Sequence, residues 1–584
     1  MPGNEDLVTT SERHSPPSAN VLEAPKAAEK TTLLHAFFHW ANTKPATVFL
    51  TQPLANGQTI DITWAQASDA VRRMAAHLAS LELPERSSIG LLGKNTAHWI
   101  LADLAIWTAG HVTVPLYPTL SVENFAYILE QAEVQLLFVG RLDASAWNSM
   151  QPGIPTGLPL VGLPFSAASE APTWDSIAAR VEPLEHVPEP ALDSLATIIY
   201  TSGTGGEPKG VMHTFRTMIA PSLTAALLWP LDEHERFLSY LPLAHVAERG
   251  LIEALALYHG GRIFFVDSLD TFATDLKRAR PTLFFSVPRL WTKFYTAVNE
   301  KLPPHRQRLL FKIPFVSQAV KKRILEELGL DHTRVAITGS APLPEAIVRW
   351  YRELGLELVE GYGLSENFGA SHIGTKGTVR PGYVGHPIPG VECRLDEDGE
   401  ILMKGPSLMP GYYKMPELSA QSVTADGFLR TGDRGELDPE GRLKITGRIK
   451  EPFKTSKGKY VAPAPIEQRF SSFTKLEAVC VTGEAEPQPF ALLMLTAEAM
   501  KQADSDKSAR AALSREIETV LSRVNESLED HERLDYAVVV KDAWTIESGF
   551  LTPTMKIKRN AIERRYLENA EAWRSSGKRV IWET

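Results

Sequence analysis

A run of glycines, hydroxyl residues and one lysine follows a β-branched, apolar stretch of the chain. The stretch is Ala196–Tyr200, and Lys209 closes the run that comes after it. Glycines let successive backbone N–H groups converge on an anion, while hydroxyls add donors and a lysine adds positive charge. The pattern favours a phosphate-binding loop, although a plain turn after a strand would explain the glycines alone. The residues between the stretch and the lysine include Thr201, Ser202, Gly203, Thr204, Gly205 and Gly206.

The spacing within this loop fits neither of two familiar nucleotide motifs. A Walker A loop needs a lysine directly after its last glycine and a hydroxyl residue after that, and no register provides both. A dinucleotide fingerprint needs a third small residue where Pro208 stands. A different kind of phosphate site is therefore the hypothesis.

A second group of functional side chains follows another strand-like stretch, Leu356–Glu360. Tyr362 could stack on a base, Ser365 could donate to a phosphate, and Glu366 could bind Mg²⁺ through its carboxylate. Alone this motif is weak, because a tyrosine after a strand is more often simply packed. Its remaining members are Glu360, Gly361 and Gly363.

Two later segments carry charged side chains. Asp433 lies in a glycine-flanked turn and could accept hydrogen bonds from both hydroxyls of a ribose, while Arg448 could reach a ribose or a phosphate. Near the C-terminus a Pro/Thr loop leads to Lys556, which could neutralise charge where two anions meet. An ion pair at a surface hairpin and a solvated basic turn are the ordinary explanations for these two segments.

The elements that must position these residues follow an alternating pattern. An amphipathic helix at Trp64–Leu78 and a second helix at His98–Ala109 alternate with short apolar strands at Ser88–Leu92 and Val112–Leu116, a rhythm typical of α/β proteins with largely parallel sheet. Further strands are predicted at Ala196–Tyr200, Arg262–Val266, Leu283–Val287, Arg334–Thr338 and Leu356–Glu360.

The composition along the chain predicts a small β subdomain and then a separate C-terminal segment. Short strands and turns dominate from Glu392 to Ile445, and a smaller α/β segment with a helix at Ser508–Leu528 follows. We predict a disordered N-terminus at 1–30, a large N-terminal domain of parallel-rich sheets at 31–447, and a C-terminal α/β domain at 448–584.

Length and charge exclude several classes of protein. The chain has 584 residues and a net charge of −9, so we expect at least two domains and no nucleic-acid partner. Cys393 and Cys480 cannot build a disulfide framework, which favours a reducing cytoplasm. No apolar run resembles a signal peptide or a bilayer span; Met218–Leu231 is short, contains Pro221 and fits a core helix.

Taken together and in this order, the motifs resemble those of the adenylate-forming (AMP-binding) superfamily, which includes acyl- and aryl-CoA ligases, luciferases and peptide-synthetase adenylation domains. The resemblance runs from about Leu33 to Tyr566. It implies an N-terminal adenylation domain and a mobile C-terminal lid domain that rotates about a hinge between two half-reactions. The co-substrates it implies are ATP and CoA, with Mg²⁺.

The resemblance also implies a role for each motif residue. The Thr201–Gly210 loop would bind the β- and γ-phosphates of ATP, Ser365 would contact the α-phosphate, and Glu366 would ligate Mg²⁺. Lys450 matches the hinge and Lys556 the adenylation lysine, in preference to Lys558. Adenine would lie between two backbone segments, and ribose would bind two charged side chains. These positions are Gly339, Ser340, Ala341, Glu360, Gly361, Tyr362 and Gly363 for adenine, and Asp433 and Arg448 for ribose.

Several stretches are similar to the long-chain acyl-CoA synthetase branch, which implies a medium- or long-chain fatty acid as substrate. They are Gly110–Thr119, Leu241–Arg249, Ser286–Arg289 and Tyr460–Glu467. The resemblance places His245 at the carboxylate and acyl pocket, whereas an isolated histidine is more often a satisfied core residue.

Three positions depart from the family pattern. Gly205 replaces a threonine and removes a hydroxyl donor, Ser365 replaces a threonine but keeps the hydroxyl, and Glu451 stands where aspartate is frequent. An aryl-CoA ligase and an acyl-carrier-protein ligase stay open as alternatives, as does a catalytically inactive nucleotide-binding relative. A homodimer and weak membrane contact by the basic stretch His305–Arg323 are further options, with a solvated helical insertion as the plainer explanation for that stretch.

Overall fold

The computed structural model describes residues 31–201, 207–341, 343–375, 377–546, 548–552 and 556–583. The predicted disorder of 1–30 lies outside these ranges. The first strands are β1 (Val48–Pro53), β2 (Thr59–Thr63), β3 (Ser88–Leu92), β4 (Val112–Leu116), β5 (Leu136–Val139), β6 (Leu160–Gly162), β7 (Leu195–Thr201), β8 (Lys209–Thr214), β9 (Arg236–Ser239), β10 (Arg262–Phe265), β11 (Leu283–Ser286), β12 (Val335–Thr338) and β13 (Leu358–Tyr362). The later strands are β14 (His372–Ile373), β15 (His386–Pro387), β16 (Glu392–Leu395), β17 (Glu400–Lys404), β18 (Leu429–Leu437), β19 (Leu443–Arg448), β20 (Phe453–Lys454), β21 (Tyr460–Val461), β22 (Leu476–Thr482), β23 (Phe490–Leu495), β24 (Ala537–Val539) and β25 (Val580–Trp582).

Helices separate most of these strands. The first are α1 (Leu33–Thr43), α2 (Trp64–Ser80), α3 (Ala97–Thr108), α4 (Val122–Gln131), α5 (Ala144–Met150), α6 (Trp174–Ala178), α7 (Phe215–Leu228), α8 (Val246–Glu248), α9 (Leu255–His259) and α10 (Phe272–Ala279). The later ones are α11 (Pro288–Lys301), α12 (Pro304–Leu310), α13 (Val316–Leu328), α14 (Glu345–Leu354), α15 (Pro416–Gln421), α16 (Pro463–Gln468), α17 (Ala497–Ser505), α18 (Lys507–Glu526), α19 (Arg559–Tyr566) and α20 (Ala570–Ser575). A π-helical segment, Arg249–Ala254, joins α8 to α9.

Three sheets with mainly parallel pairing build the N-terminal part. The largest has the order β6-β5-β3-β4-β7-β8, in which only β8 runs antiparallel to its neighbour. The other two have the orders β2-β1-β10-β9 and β11-β12-β13-β14-β15. Strands β3, β4 and β5 are buried along their whole length, as expected where helices cover both faces of a parallel sheet. Eleven of the twelve residues of α3 are buried, which explains its predominantly apolar sequence.

In the predicted small β subdomain, neighbouring strands run antiparallel. Strands β16 to β19 form an antiparallel sheet in chain order. Aspartates close both of its predicted turns: Asp396 Oδ1 accepts from two backbone N–H groups, and so does Asp438 Oδ1. The C-terminal part has its own sheet, β22-β23-β24-β25, and hydrophobic clusters whose described members all lie between Phe453 and Trp582.

The structure confirms the predicted fold class and the predicted elements. Strands β3 and β4 have the predicted bounds, and the helix expected at His98–Ala109 is α3, shifted by one residue. Pro221 lies within α7, a largely buried helix, as expected for the stretch Met218–Leu231. No helix in the described ranges is long and apolar enough to cross a bilayer. The division at residue 448 stays a prediction.

A buried charge cluster lies in the centre of the N-terminal part. Arg249 in the π-helical segment donates to Asp103 of α3 and, at 3.4 Å, to Thr197 Oγ1 of β7. Its Nε atom lies 3.2 Å from an oxygen of Glu253. Burial raises the pKa of Asp103 and raises that of Glu253 well above its ordinary value. Both shifts oppose the presence of two charged carboxylates beside the single cation of Arg249.

Replacing Arg249 by Met should lower the free energy of unfolding by about 3–5 kcal/mol, because Asp103 would lose its cation while staying buried. Denaturant unfolding followed by tryptophan fluorescence measures the change. Arg349→Met, which removes one member of an exposed pair with Glu345 on α14, is the control and should leave the midpoint in place. Equal small changes in both variants would contradict the importance of the cluster.

Candidate active site

One aspartate within β18 connects the ends of two other strands, β13 and β19. Asp433 lies in β18 directly opposite Arg448, the last residue of β19. Its Oδ1 pairs with Arg448 Nε at 2.9 Å, and its Oδ2 accepts a hydrogen bond from Tyr362 Oη at 2.5 Å. Burial, together with the charge of Asp433, raises the pKa of Tyr362 well above its ordinary value, so the phenol stays protonated and donates. The two predicted ribose residues and one predicted adenine residue therefore meet.

A second tyrosine positions the predicted metal ligand. Ser365 and Glu366 lie in a short 3₁₀ turn, Ser365–Asn367, just after β13. Tyr412 Oη donates to Glu366 Oε1 at 2.8 Å, and the Nζ of Lys209 lies 5.6 Å from the centre of the Tyr412 ring. Lys209 and Glu366, which come from different sheets, are thus neighbours through one aromatic ring.

A buried histidine fixes the backbone of this turn. His213 Nε2 lies 2.7 Å from the carbonyl oxygen of Ser365. Burial lowers the pKa of His213 to about 4, so the ring is neutral at pH 7. Because a carbonyl oxygen can only accept, Nε2 carries the proton in this tautomer.

The lysine of the C-terminal part faces the same region. Its loop is closed by two hydrogen bonds, from Thr552 N to Lys556 O at 2.7 Å and from Lys556 N to Thr552 Oγ1 at 3.1 Å. The Lys556 side chain is exposed, yet nearby protein atoms restrict the water around its amine. This desolvation is the largest cause that lowers the pKa of Lys556, followed by the charge of Arg448, whereas three carboxylates raise it. Those carboxylates belong to Asp433, Glu451 and Glu366.

His245 shares this electrostatic environment. It precedes α8, and its Nδ1 accepts a hydrogen bond from Ala247 N at 3.1 Å. Burial, with a contribution from the positive charge of Lys556, lowers the pKa of His245 to about 4. The imidazole at the predicted acyl-pocket position is therefore neutral at pH 7.

The predicted adenine segments approach each other at their backbones. Gly339, Ser340 and Ala341 follow β12, and Ser340 has a left-handed φ of 71°. A Cβ atom on Gly339 would lie 3.2 Å from the carbonyl oxygen of Gly361, so the close approach favours glycine. Glu360 is buried, accepts from Gly382 N at 3.1 Å, and has a pKa raised to about 7 by burial.

Other predicted site residues lie apart from this group or outside the described ranges. Thr201 ends β7, but Ser202, Gly203, Thr204, Gly205 and Gly206 are not among the described residues. Lys450 is exposed and forms no ion pair with any described residue. Lys450 lies two residues after the end of β19. Its assignment as the hinge stays a prediction.

Sequence reasoning missed three residues of the site. Tyr412 lies in a Pro-Gly-Tyr turn outside the four motifs, and only its aromatic ring after a glycine hinted at a role. His213 follows Lys209 by four positions on β8, the same face of an extended strand. Glu451, to which no role was assigned, contributes to the electrostatics of both Lys556 and Arg559.

The donor set allows a limited kind of metal site. Among the described residues, no group of three or more His, Cys, Asp or Glu side chains could hold a metal ion. Mg²⁺ bound mainly by substrate phosphates needs only one or two carboxylates. The Glu366 carboxylate accepts from Tyr412 through one oxygen, and its other oxygen accepts no hydrogen bond from any residue that the structure describes. The residues present therefore fit a phosphate-bound Mg²⁺.

Comparison with known proteins agrees with this geometry. A family model described as AMP-binding enzyme matches residues 37–413, and one described as AMP-binding enzyme C-terminal domain matches 453–576. The chain therefore belongs to the family of AMP-binding enzymes.

Several relatives and solved structures are similar over most of the chain. The long-chain-fatty-acid–CoA ligase FadD15 of Mycobacterium bovis is 30% identical over 565 residues, covering 89% of this chain and 93% of that protein. Mouse long-chain-fatty-acid–CoA ligase 6 is 28% identical, covering 83% and 78%. The adenylation domain of a carboxylate reductase from Mycobacterium chelonae superposes with a TM-score of 0.76 at 23% identity, covering 93% of this chain and 91% of that one. That structure supports the fold alone.

Replacing Gly363 by Ala should disrupt the turn that carries Ser365 and Glu366. The new Cβ would lie 2.2 Å from the carbonyl carbon of Gly369, so the backbone must move, at a cost of about 1–3 kcal/mol. Thermal unfolding measures the loss. Gly361→Ala is the folding control, because its Cβ would meet nothing closer than 3.5 Å. A Gly363→Ala protein as stable as the Gly361→Ala protein would contradict the packing described here.

The Lys556 amine should titrate below the ordinary lysine value of 10.5. Glu451→Gln should lower its pKa further, because a neighbouring negative charge is removed, whereas Arg448→Gln should raise it. Reductive ¹³C-methylation followed by NMR titration measures each pKa, and Lys556→Arg identifies the signal. Shifts of the same sign in the two variants would show that Lys556 does not lie between these groups.

Proposed function

We propose that the protein activates a medium- or long-chain fatty acid with ATP and transfers the acyl group to CoA. The observation that carries this proposal is the electrostatic environment of Lys556, whose pKa is raised by Asp433 and Glu366 of the N-terminal part and lowered by Arg448. A lysine that faces the carboxylates of a nucleotide site suits a reaction in which two anions must meet. The names of the similar proteins, long-chain-fatty-acid–CoA ligases, support the choice of acid and acceptor.

In the proposed complex, the nucleotide lies across the two loops that follow β12 and β13. Asp433 and Arg448 bind the ribose, and the Ser365 hydroxyl donates to the α-phosphate. The loop from Thr201 to Lys209 binds the β- and γ-phosphates. Mg²⁺, when bound at Glu366, would neutralise charge on the phosphates.

In the first half-reaction, a carboxylate oxygen of the fatty acid attacks the α-phosphorus. The P–O bond to pyrophosphate breaks, and the leaving group takes the electron pair. Lys556 donates to the oxygens on which negative charge accumulates and so favours the transition state over the separated anions. The neutral His245 borders the carboxylate and, because it carries no charge, does not hold the carboxylate in an ion pair.

In the second half-reaction, the segment 448–584 turns as a lid about Lys450 and withdraws Lys556. The CoA thiol then attacks the acyl-AMP carbonyl, a C–S bond forms, and AMP leaves. Lys450 is exposed and unpaired among the described residues, which suits a backbone hinge. On this account 31–447 acts as the adenylation domain.

The setting of the enzyme is part of the same proposal. Cys393 and Cys480 are both unpaired, which suits a reducing cytoplasm. A homodimer stays a prediction. An aryl acid or a carrier-protein acceptor would leave the nucleotide site unchanged. The assay below decides among acids, and the same assay with a panel of thiol acceptors decides between CoA and a carrier protein.

Pyrophosphate release with Mg·ATP and CoA should peak at medium or long chains when acids from acetate to oleate, with benzoate and cinnamate, are compared. Lys556→Ala should lower the rate by about 10²-fold or more, since one preorganised charge is lost. Lys558→Ala, two residues away at the start of α19, is the matched control and should retain the rate.

Two results would contradict the proposal. Turnover confined to aromatic acids would make the protein an aryl-CoA ligase. No turnover with any acid, despite measurable ATP binding, would leave a nucleotide-binding relative without ligase activity.

A further inference from the structure

A cluster of apolar side chains projects into solvent where α12 turns into α13. Phe315 is 86% exposed and Leu309 is 65% exposed, and Ile313 and Val316 are also exposed. All four lie within eight consecutive residues, and the hydrogen bond from Ser317 N to Ile313 O closes one turn there at the start of α13. We call these four residues the apolar tip. Contiguous exposed apolar side chains of this kind mark interaction sites.

The tip rests on a firmly packed base. Gln307 of α12 is buried; its amide donates to Asn299 Oδ1 and to Leu302 O, both at 2.6 Å, and accepts from Trp350 Nε1 at 2.8 Å. Phe311 packs against the hydrophobic cluster beneath α14. The exposure of the tip is therefore imposed by ordered contacts on the other side of the hairpin.

The backbone conformation at the tip is also energetically unfavourable. Phe315 has a φ of 63°, a left-handed conformation that glycine adopts freely and that aromatic residues rarely adopt. This conformation exposes the ring to water, so the ring contributes almost no free energy of burial to folding. A strained and exposed aromatic side chain is doubly unfavourable in the isolated protein, so a partner that covers it would recover part of that cost.

The charge around the tip has the opposite sign to the protein as a whole. Between residues 301 and 325 the sequence has seven Lys or Arg residues and no Asp or Glu, in a chain of net charge −9. Arg306, Arg308 and Lys312 are exposed, and none of them forms an ion pair with a described carboxylate. An apolar tip with a basic rim is complementary to a surface that is apolar below and anionic above.

We propose that the apolar tip and its basic rim bind the surface of an anionic lipid bilayer. Phe315 and Leu309 would insert at the boundary between headgroups and acyl chains, while the three basic residues contact lipid phosphates. The docking is peripheral and adds a location to the proposed function without depending on it. A second copy of this chain suits the surface less well, because a symmetric contact would bring the two basic rims together.

The test is sedimentation of the full-length protein with vesicles. Wild type should bind vesicles of phosphatidylcholine mixed with phosphatidylglycerol, bind pure phosphatidylcholine much less, and dissociate as NaCl is raised. The double variant Leu309→Ser/Phe315→Ser and the double variant Arg308→Glu/Lys312→Glu should each lower the partition coefficient by about tenfold or more.

Leu269→Ser is the matched control. Leu269 is 92% exposed but lies outside the tip, so this variant should bind the mixed vesicles as wild type does. The altered side chains are exposed, so thermal unfolding should be unchanged. If Leu309→Ser/Phe315→Ser is less stable than wild type, vesicle binding by Arg308→Glu/Lys312→Glu decides the test.

Three results would overturn the proposal: wild type that ignores mixed vesicles, equal binding to both kinds of vesicle, or a Leu269→Ser loss as large as that of the tip variants. A concentration-dependent dimer abolished by Leu309→Ser/Phe315→Ser would assign the tip to a second copy instead. None of these assays measures ligase turnover, so their outcome is separate from that of the proposed function.

Discussion

The carboxylate of Asp433 is the contact on which the proposed site depends. It accepts from Tyr362 at the end of β13 and pairs with Arg448 at the end of β19, so it connects the parallel sheet with the antiparallel subdomain. Tyr362 lies three residues before the turn Ser365–Asn367, and Arg448 lies two residues before Lys450, the predicted hinge. Because Asp433 is buried and bonded to both residues, it fixes the end of β13 relative to the end of β19.

The electrostatics of the cleft follow from that arrangement. The positive charge of Arg448 lowers the pKa of Lys556, while the carboxylates of Asp433, Glu366 and Glu451 raise it. A further anion entering beside Lys556 would raise its pKa and stabilise its charged form. A substrate carboxylate and an ATP phosphate are such anions, which connects the geometry to the proposed adenylation step.

Much of this was predictable from the sequence because the strands are short, apolar and separated by amphipathic helices. The bounds of β3 and β4, and the motifs after β7 and β13, follow directly from periodicity and composition. Contacts that depend on packing between distant elements do not. Tyr412 lies 46 residues after Glu366, yet donates to it, and no local pattern signals such a bond. The charge cluster of Asp103, Arg249 and Glu253 likewise joins a helix to a segment far along the chain.

The most direct test of the central claim, that Lys556 serves adenylation alone, separates the two half-reactions. Single-turnover formation of labelled acyl-AMP from fatty acid and Mg·ATP would be compared with the transfer of preformed acyl-AMP to CoA, in wild type and in Lys556→Ala. The account predicts a loss of about 10²-fold or more in the first step and near wild-type transfer in the second. Equal losses in both steps, or no loss in the first, would contradict it.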